Sequence, residues 1–329
     1  MNKKLKIFII ISTILVVLAA IVLYYYFGSS YKYFKNIGSP ECKIPGLSEG
    51  FTPQGMSYDE ESGSLLISGY MKNENESSRL YVVNGTNYSQ QKYITLTNGG
   101  ENFYGHSGGV AVYQSNVFIA SEGKVYRLSK DEVLNAENKA SVAVIDSFET
   151  KNGAAFVTVK GSELWVGEFY HGGNYETADS HRIETADHDQ NMALAFCYTL
   201  NSSSEFGVAS TTPIKALSLP ALAQGIDFYD DGKIVLSTSY SVPDSKMYIY
   251  SDILSEATEK TFDYDGTQIP LYELTSSKVV HSFSMPCMSE EIVVKNGRVL
   301  VLFESASQKY RLIARTRMDY IYSLNIKFE

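Results

Sequence analysis

The sequence predicts an all-β fold, a five-bladed β-propeller, from three observations. One hairpin pattern, two β-rich runs around a tight turn, recurs along the chain, most clearly as QGIDFYDDGKIVLSTSY at 224–240 with Asp-Gly at the turn. Further β-rich runs follow each copy, giving four-stranded repeats of roughly 40–50 residues, as in propeller blades. The last repeat is one strand short, and the isolated segment 42–45 supplies the missing strand.

The chain begins with a predicted transmembrane segment. Residues 7–27 carry no charge, and a spanning helix needs about 20 apolar residues. Lys3, Lys4 and Lys6 precede this run, and the positive-inside bias places them in the cytoplasm, with tyrosines 24–26 at the outer interface. A cleaved signal peptide is the alternative, but its apolar core is usually about 7–15 residues and ends at a small-residue cleavage site. We therefore expect an uncleaved, single-pass signal anchor in the cell membrane, with the propeller extracellular.

These patterns divide the chain into four predicted segments. They are a cytoplasmic basic tail at 1–6, the membrane anchor at 7–27, a polar and aromatic tether at 28–39 and the propeller at 40–329.

Within the propeller, strands are predicted in chain order for each repeat. The first repeat has strands at 54–58, 64–69, 79–83 and 92–97, and the second at 109–113, 116–120, 124–128 and 141–148. The third has strands at 155–159, 163–167, 193–200 and 214–219, the fourth at 226–229, 233–239, 246–250 and 278–285, and the fifth at 291–294, 298–303 and 319–326. Six blades would result if the insertion at 252–274 held a degenerate blade. A β-sandwich is the other alternative, but it would leave the incomplete last repeat unexplained.

Charge and cysteine content restrict the partners and the chemistry. The formal net charge is −9 and the acids are spread along the chain, so we expect no nucleic-acid binding, which needs clustered Lys and Arg. Cys42, Cys197 and Cys287 have no CxxC spacing, and no zinc or redox motif is predicted. Either a Cys42–Cys287 bridge forms where the termini meet, or the thiols are free and buried, which is the simpler interpretation. We expect a monomer.

A ligand site is expected at one mouth of the central channel. The loops before the first strand of each blade, and those between the second and third strands, open on this face and carry most ligand sites in propellers. The predicted inner ring consists of Gln54, His106, Gln224 and Glu290, and the residues around it are Tyr70, Glu122, Glu168, Tyr170, Tyr240 and Glu304.

The residue types at this mouth favour a small polar ligand. Carboxylates, amides and tyrosines offer hydrogen bonds together with flat apolar faces, which is the combination that binds polyols. Hydrolysis is the alternative, with two facing carboxylates among Glu168, Glu290 and Glu304 as acid and base. Axial oxygens could instead hold calcium. The axial positions offer Glu290 and two glutamines without an Asn/Asp pair, so neither a metal site nor a cofactor is predicted.

Two loops at the predicted mouth need separate interpretation. The connection 169–191 contains three histidines and three aspartates, but no HxH or HExxH spacing, so it is predicted to be a polar surface loop or lid rather than a zinc site. The segment FESASQKYR at 303–311 ends in Arg311, and Arg315 and Arg317 follow. Arg311 is a candidate to clamp an anionic ligand, and pairing with Glu304 is the structural alternative.

The motifs PQGM, GHSGGVAV, LWVGEFY, DGKIVLSTSY and GRVLVLFESAS carry a resemblance. The chain from about residue 40 onward resembles a group of membrane-anchored propeller proteins of Gram-positive bacteria, and this resemblance implies a cell-surface propeller without a particular activity. More loosely it is similar to gluconolactonase-like and quinoprotein-like propellers. Because the calcium-ligand set of the lactonases is not matched, the resemblance implies no catalytic residue here.

Three functions therefore remain open at the level of sequence. The first is binding of a small polar ligand at the mouth, with a carbohydrate or cell-wall fragment as the leading class. The second is hydrolysis by the mouth carboxylates, as a glycosidase or a lactonase. The third is a scaffold that docks proteins on its rim.

Overall fold

The computed structural model describes residues 3–27, 31–85, 87–88 and 91–328. The chain starts with a helix, α1, at Lys3–Phe27. Its segment Lys3–Leu23 has a mean hydropathy of 2.9, is long and apolar enough to cross a membrane, and is not buried against the rest of the chain. The side chains of residues 24–27 are not described, so the predicted tyrosine belt lies outside the described residues.

The predicted five-bladed propeller is confirmed by the strand pairing. Each blade contains a four-stranded antiparallel sheet. Blade 1 consists of Phe51–Asp59, Ser64–Met71, Arg79–Asn84 and Gln91–Asn98, and blade 2 of Gly109–Tyr113, Asn116–Ser121, Lys124–Ser129 and Asp146–Glu149. Blade 3 consists of Phe156–Lys160, Glu163–Gly167, Ala193–Thr199 and Lys215–Leu219, and blade 4 of Ala223–Phe228, Ile234–Thr238, Ser245–Tyr250 and Val279–Met285. Blade 5 consists of Ser289–Lys295, Arg298–Phe303, Tyr320–Leu324 and Gly38–Lys43.

The amino-terminal strand closes the ring, as the sequence predicted. Gly38–Lys43 pairs antiparallel with Tyr320–Leu324, and the Ile44 N–H donates to the Asp319 carbonyl at 2.9 Å. The strand begins four residues earlier than the predicted segment 42–45 and has a bulge after Pro40. Pro40 is tolerated because this is the outer strand of its sheet, where a missing N–H need not break a ladder on both sides.

The insertion does not form a sixth blade. Thr261–Tyr264 and Thr267–Glu273 form a hairpin, which extends the outer edge of blade 3 through a parallel pairing with Lys215–Leu219. The predicted strand 141–148 is split in two. Ser141–Ala143 adds to the outer strand of blade 1, and Asp146–Glu149 completes blade 2. This segment therefore joins the sheets of two neighbouring blades.

The remaining elements are short and lie at the periphery. The two-residue strand Glu101–Asn102 pairs with blade 1, and Ile183–Glu184 pairs with Gln190–Asn191. The α-helices besides α1 are Lys32–Ile37 and Lys130–Asn135. The single turns of 3₁₀-helix are Leu47–Glu49, Asp179–His181, Glu205–Gly207, Ile253–Ser255 and Ser276–Lys278.

The segment predicted as a tether folds onto blades 4 and 5. The helix Lys32–Ile37 buries Phe34, which is 2% exposed and packs its ring against Phe303 and Tyr322 at centroid distances of 6.1 and 5.2 Å. The cysteines Cys42, Cys197 and Cys287 are all buried and free, so the alternative Cys42–Cys287 bridge does not form.

The inner strands approach one another closely at the axis. A Cβ atom on Gly55 would lie 2.6 Å from the Cα atom of Gly109, and one on Gly109 would lie 2.4 Å from the Val157 nitrogen. Only glycine permits this approach, because real Cβ atoms do not make such contacts. The axis is therefore narrow, and side chains that could bind a ligand are displaced to its ends.

Candidate functional site

The centre of the candidate site is a pair of carboxyl groups at one end of blade 5. Ser289 pairs with Phe303 in the first hairpin of this blade, so Glu290 and Glu304, the next residues, lie at the same end of the sheet. Their carboxyl groups are close enough to form a hydrogen bond, and each shifts the pKa of the other. Glu290 is 4% and Glu304 is 9% exposed. A hydrogen bond between two carboxyl groups needs a shared proton.

Burial determines the protonation of this pair. It raises the pKa of Glu304 to about 8, although Lys309 and the bond from Gln54 act in the opposite direction. Burial, followed by the charge of Glu304, raises the pKa of Glu290 well above its usual range. The two groups titrate as a unit, so the pair retains at least one proton at neutral pH.

A third carboxyl group lies beneath the pair, on the axis. The strand pairing is irregular between Ser289 and Ile292, so Glu291 points inward instead of continuing the alternation. Glu291 is fully buried, and neither carboxyl oxygen makes a hydrogen bond of good geometry. A Cβ atom on Gly225 of blade 4 would lie 2.2 Å from its Oε1 atom. The Glu291 carboxyl group therefore fills the space that glycine leaves on the neighbouring inner strand.

The axial carboxyl groups are pushed towards their neutral forms. Burial, followed by the charge of Asp227, raises the pKa of Glu291 well above its usual range, against the effect of the Ile292 and Val157 N–H groups. Burial also raises the pKa of Asp227 to about 7, although the Val294 N–H donates to this carboxylate at 2.6 Å. No Lys, Arg or His side chain of the described chain is among the groups that shift the pKa of Glu291 or Asp227.

A hydrogen-bond chain links the carboxyl pair to an exposed histidine. The Gln54 Nε2 group donates to Glu304 Oε2 at 2.9 Å and to the Pro53 carbonyl at 2.8 Å. Its Oε1 atom must therefore accept, and His106 Nε2 donates to it at 2.8 Å. This assigns the His106 proton to Nε2 and leaves Nδ1 as an acceptor. Desolvation by the surrounding protein, followed by the charge of Lys309, lowers the pKa of His106 to about 4, although the residue has an exposed surface. The imidazole is therefore neutral at pH 7.

Two tyrosines and a lysine complete this side of the mouth. The Tyr70 ring stacks on His106 at a centroid distance of 4.4 Å. The Tyr70 hydroxyl accepts from Lys309 Nζ at 2.7 Å and is 3.2 Å from the Tyr310 hydroxyl. Burial raises the pKa of both tyrosines, so both hydroxyls keep their protons. We call the following residues the mouth group: Gln54, Tyr70, His106, Glu290, Glu304, Lys309 and Tyr310.

An aromatic cluster from blades 3 and 4 lies on the same face. His171 and Tyr240 stack with their centroids 3.8 Å apart, and Asn174 Nδ2 donates to the Tyr240 hydroxyl at 3.0 Å. Phe169 and Tyr175 pack edge to face at 5.4 Å. Tyr175 is 55% exposed and lies near enough to Tyr310 to raise its pKa. We call Phe169, His171, Tyr175 and Tyr240 the aromatic wall.

The structure brings five of the predicted site residues into one network: Gln54, Tyr70, His106, Glu290 and Glu304. The predicted Tyr240 belongs to the aromatic wall. Four others lie outside this network. Gln224 Nε2 donates to the Ser239 carbonyl at 3.2 Å, Glu122 is exposed in a turn, Tyr170 packs beneath Arg182, and Arg311 is exposed. These four remain predictions as ligand contacts.

Glu168, a predicted catalytic candidate, is fully engaged in structural hydrogen bonds. Its Oε1 atom accepts from the Leu194 N–H at 2.9 Å and lies 2.8 Å from Nδ1 of His181, and its Oε2 atom accepts from the Gly153 N–H at 3.3 Å. Glu168 is 3% and His181 is 4% exposed. This carboxylate therefore holds the long 169–191 connection onto blade 3.

Lys309 and Tyr310 were not among the predicted site residues. The Ser307 N–H donates to the Glu304 carbonyl at 2.9 Å, and the Arg311 N–H donates to the Ser307 carbonyl at 2.9 Å. These tight turns bring Lys309 and Tyr310 back towards Glu304 and leave Arg311 outside. The QKYR run is the only sequence signal for them, and it does not show which of its side chains face the mouth.

A separate cavity of about 960 Å³ lies at the opposite end of blades 4 and 5. It is lined by residues including Tyr33, Lys233, His281, Arg298 and Lys327. Within the described residues, no group of three or more His, Cys, Asp or Glu side chains is arranged to hold a metal ion. The predicted absence of a metal site and the calcium alternative both remain predictions.

Comparison with known proteins identifies no family. No family model matches the chain, and no curated protein matches it. Among solved structures, it is similar to the glutaminyl cyclase of Myxococcus xanthus, with a TM-score of 0.43 and 10% identity over 87% of this chain and 92% of that one. It is also similar to the PQQ-bound aldose sugar dehydrogenase of Streptomyces coelicolor, with a TM-score of 0.40 and 12% identity over 81% and 78% of the two chains. For BamB of Moraxella catarrhalis the TM-score is 0.33 and the identity 8%, over 83% and 84%. These are distant propeller proteins, and likenesses this remote carry no argument about function.

Proposed function

We propose that the mouth of the propeller binds a small polar ligand, a carbohydrate or a cell-wall fragment. The observation that carries this proposal is the buried, proton-sharing pair Glu290–Glu304, with aromatic side chains on the same face. Buried carboxyl groups that lack a full set of partners are costly to the fold, and such arrangements cluster at functional sites. The shared proton is engaged between the two carboxyl groups, so the pair offers acceptor oxygens to ligand hydroxyls, and the neutral His106 offers a further acceptor at Nδ1.

The aromatic side chains supply the second requirement of a carbohydrate site. Tyr70 and His106 present one pair of stacked rings, and His171 and Tyr240 present another. Sugar rings have apolar faces that pack on such rings while their hydroxyl groups form hydrogen bonds. Both pairs of rings lie on the same face of the propeller, which supports a single site between them.

General acid–base catalysis by the same pair is a second candidate function. It is favoured by one observation, the raised pKa of Glu304, which leaves a protonated acid at neutral pH. Glu290 and Glu304 are within hydrogen-bonding reach of each other, whereas the two carboxyl groups of most glycosidases are roughly 5–5.5 Å or 6.5–9.5 Å apart. The pair would therefore act as one acid rather than as an acid and a separate nucleophile.

The location that we propose follows from α1. With Lys3, Lys4 and Lys6 on the cytoplasmic side, the propeller lies outside the cell as a monomer on a single anchor. Labelling of intact cells with a membrane-impermeant amine reagent is expected to modify exposed propeller lysines such as Lys72. Labelling only after the membrane is broken would contradict this topology.

Ligand binding is tested on the full chain in a neutral detergent by thermal shift. The probes are a panel of monosaccharides that includes N-acetylglucosamine and N-acetylmuramic acid, with gluconolactone as a further probe. A ligand raises the unfolding midpoint by mass action. We expect the rise to disappear in His106→Ala and Tyr175→Ala and to persist in Glu60→Gln, which changes an exposed turn between the first two strands of blade 1, away from the mouth. A rise that both alanine variants retain would place the ligand elsewhere, and no rise with any probe would favour the scaffold.

The catalytic candidate has its own readout. Release of nitrophenol from nitrophenyl glycosides, or opening of a lactone, is measured with the full chain and with Glu304→Gln. Turnover that the variant abolishes supports acid catalysis. Saccharide binding without turnover leaves ligand binding as the function.

A further inference from the structure

The loop between the second and third strands of blade 5, residues 304–319, carries exposed apolar side chains. Leu312 is 81% and Ile313 is 50% exposed, and Leu312 is the most exposed large apolar side chain of the described propeller residues. The tip is held in place, because the Ile313 and Ala314 N–H groups donate to the Tyr310 carbonyl at 3.0 and 2.9 Å, and Ala314 is buried. The exposure is therefore a property of an ordered turn. We call residues 304–319 the blade 5 loop.

The same loop is basic on an otherwise acidic chain. Residues 305–318 contain no Asp or Glu, whereas the whole chain has a net charge of −9. Lys309, Arg311 and Arg317 are exposed, and Arg317 Nε donates to the Arg311 carbonyl at 2.7 Å. Apolar side chains flanked by exposed cations are typical of segments that lie in the interface of anionic membranes.

A third observation places this loop near the membrane anchor. Tyr31 is buried, its hydroxyl donates to Asp244 Oδ1 at 2.6 Å, and Arg315 Nη2 of the blade 5 loop donates to it at 2.6 Å. Arg315 and Asp244 also form an ion pair. Phe27, the last residue of α1, precedes Tyr31 by four residues. Consecutive Cα atoms are about 3.8 Å apart, so the Cα atoms of Phe27 and Tyr31 are at most about 15 Å apart.

We propose that the blade 5 loop is a second membrane contact, in which Leu312 and Ile313 enter the headgroup layer of the bilayer that holds α1. The headgroup region is roughly 5–7 Å deep on each side, which suits two aliphatic side chains. Arg311 and Arg317 then lie at the level of the lipid phosphates, where cations are attracted to an anionic surface.

This contact fixes the orientation of the candidate ligand site. Lys309 and Tyr310 belong both to the blade 5 loop and to the mouth group, so docking of the loop holds the mouth beside the lipid surface. A ligand would then be presented from the membrane, for example as the headgroup of a glycolipid. The membrane contact rests on α1 as an anchor and not on the identity of the ligand.

The test uses the full chain reconstituted into vesicles, with Leu312→Trp as a reporter. Trp165, the native tryptophan, is fully buried in blade 3 and supplies a constant background. We expect the emission of Leu312→Trp to shift to shorter wavelength and to be quenched by brominated lipids. The matched control is Ile214→Trp, an exposed position (45%) before the outer strand of blade 3, and we expect no quenching there.

Lipid composition separates the two parts of the interaction. Quenching of Leu312→Trp is expected to be stronger when phosphatidylglycerol is added to phosphatidylcholine vesicles, and the added Arg311→Gln and Arg317→Gln changes should remove this increase. Water-like emission of Leu312→Trp without quenching, in both kinds of vesicle, would overturn the proposal and point to a protein partner for the loop. Quenching that persists although no saccharide binds would refute only the proposed ligand.

Discussion

The clearest prediction concerns the pH dependence of stability and the variant Glu304→Gln. The pKa of Glu304 rises from an ordinary value of 4.5 to about 8 on folding. The folded state therefore holds a proton that the unfolded state loses, so this stabilising contribution is complete below the unfolded pKa and is lost as the pH rises towards the folded one. The substituted amide keeps a carbonyl for the bond from Gln54 and an N–H group for Glu290, but it does not titrate.

The magnitude follows from proton linkage. One group that is protonated only in the folded state changes the free energy of unfolding by at most about 1.4 kcal/mol per pH unit. For a domain of this size, that corresponds to roughly 2 °C in the unfolding midpoint per pH unit. Because Glu290 and Glu304 titrate together, Glu304→Gln should remove part of this slope rather than all of it.

The assay is the unfolding midpoint of the full chain between about pH 5 and pH 8, for the wild type, Glu304→Gln and the control Glu122→Gln. We expect the wild type and the control to lose stability more steeply with rising pH than Glu304→Gln does. Equal slopes for all three proteins would refute the shared proton as the physical basis of the site.

Three further predictions follow from the packing, and circular dichroism melts test each of them. Gly109→Ala should lower the free energy of unfolding by more than about 2 kcal/mol, because its Cβ atom would lie 2.4 Å from the Val157 nitrogen; wild-type stability would contradict the close approach at the axis. Phe34→Ala should cost about 3–5 kcal/mol if the helix Lys32–Ile37 is part of the core, whereas a flexible tether predicts almost no change. Glu291→Gln should be more stable than the wild type at about pH 8 and differ less at about pH 5, since a neutral amide has no charged form to bury; the reverse order would exclude an inward-facing Glu291.

The sequence was sufficient for the architecture because each blade has a local signal. Repeated hairpin turns set the number of blades, and the incomplete fifth repeat identified the amino-terminal strand as its partner. The bounds of that strand were harder to predict, since Gly38 and Pro40 are poor strand formers and pair because Tyr320–Leu324 offers an open edge. The segment 141–148 reads as one strand, and only tertiary pairing divides it between two blades.

Only the site residues that are positioned by the repeated inner strands could be predicted from the sequence. Gln54 and Glu290 lie in the first half of inner strands and His106 lies just before one, and the repeat alignment locates these strands. Tyr310 comes from a loop whose turns have no repeat to align, so the sequence favoured its neighbour Arg311 instead. The roles of Glu290 and Glu291 depend on one bulge, because a shift of one residue exchanges the side chains that face the axis and the mouth.

The closing strand has a mechanical consequence. In the anchored protein that we propose, a force between the membrane and the propeller first meets the contacts of Tyr31 with Asp244 and Arg315. It then meets the packing of Phe34 and the pairing of Gly38–Lys43 with Tyr320–Leu324. Most of these contacts lie on blade 5, whose other edge strand carries Glu290. Tension on α1 is thus transmitted to blade 4 through Asp244 and to blade 5, the sheet that supports the carboxyl pair, before it reaches blades 1 to 3.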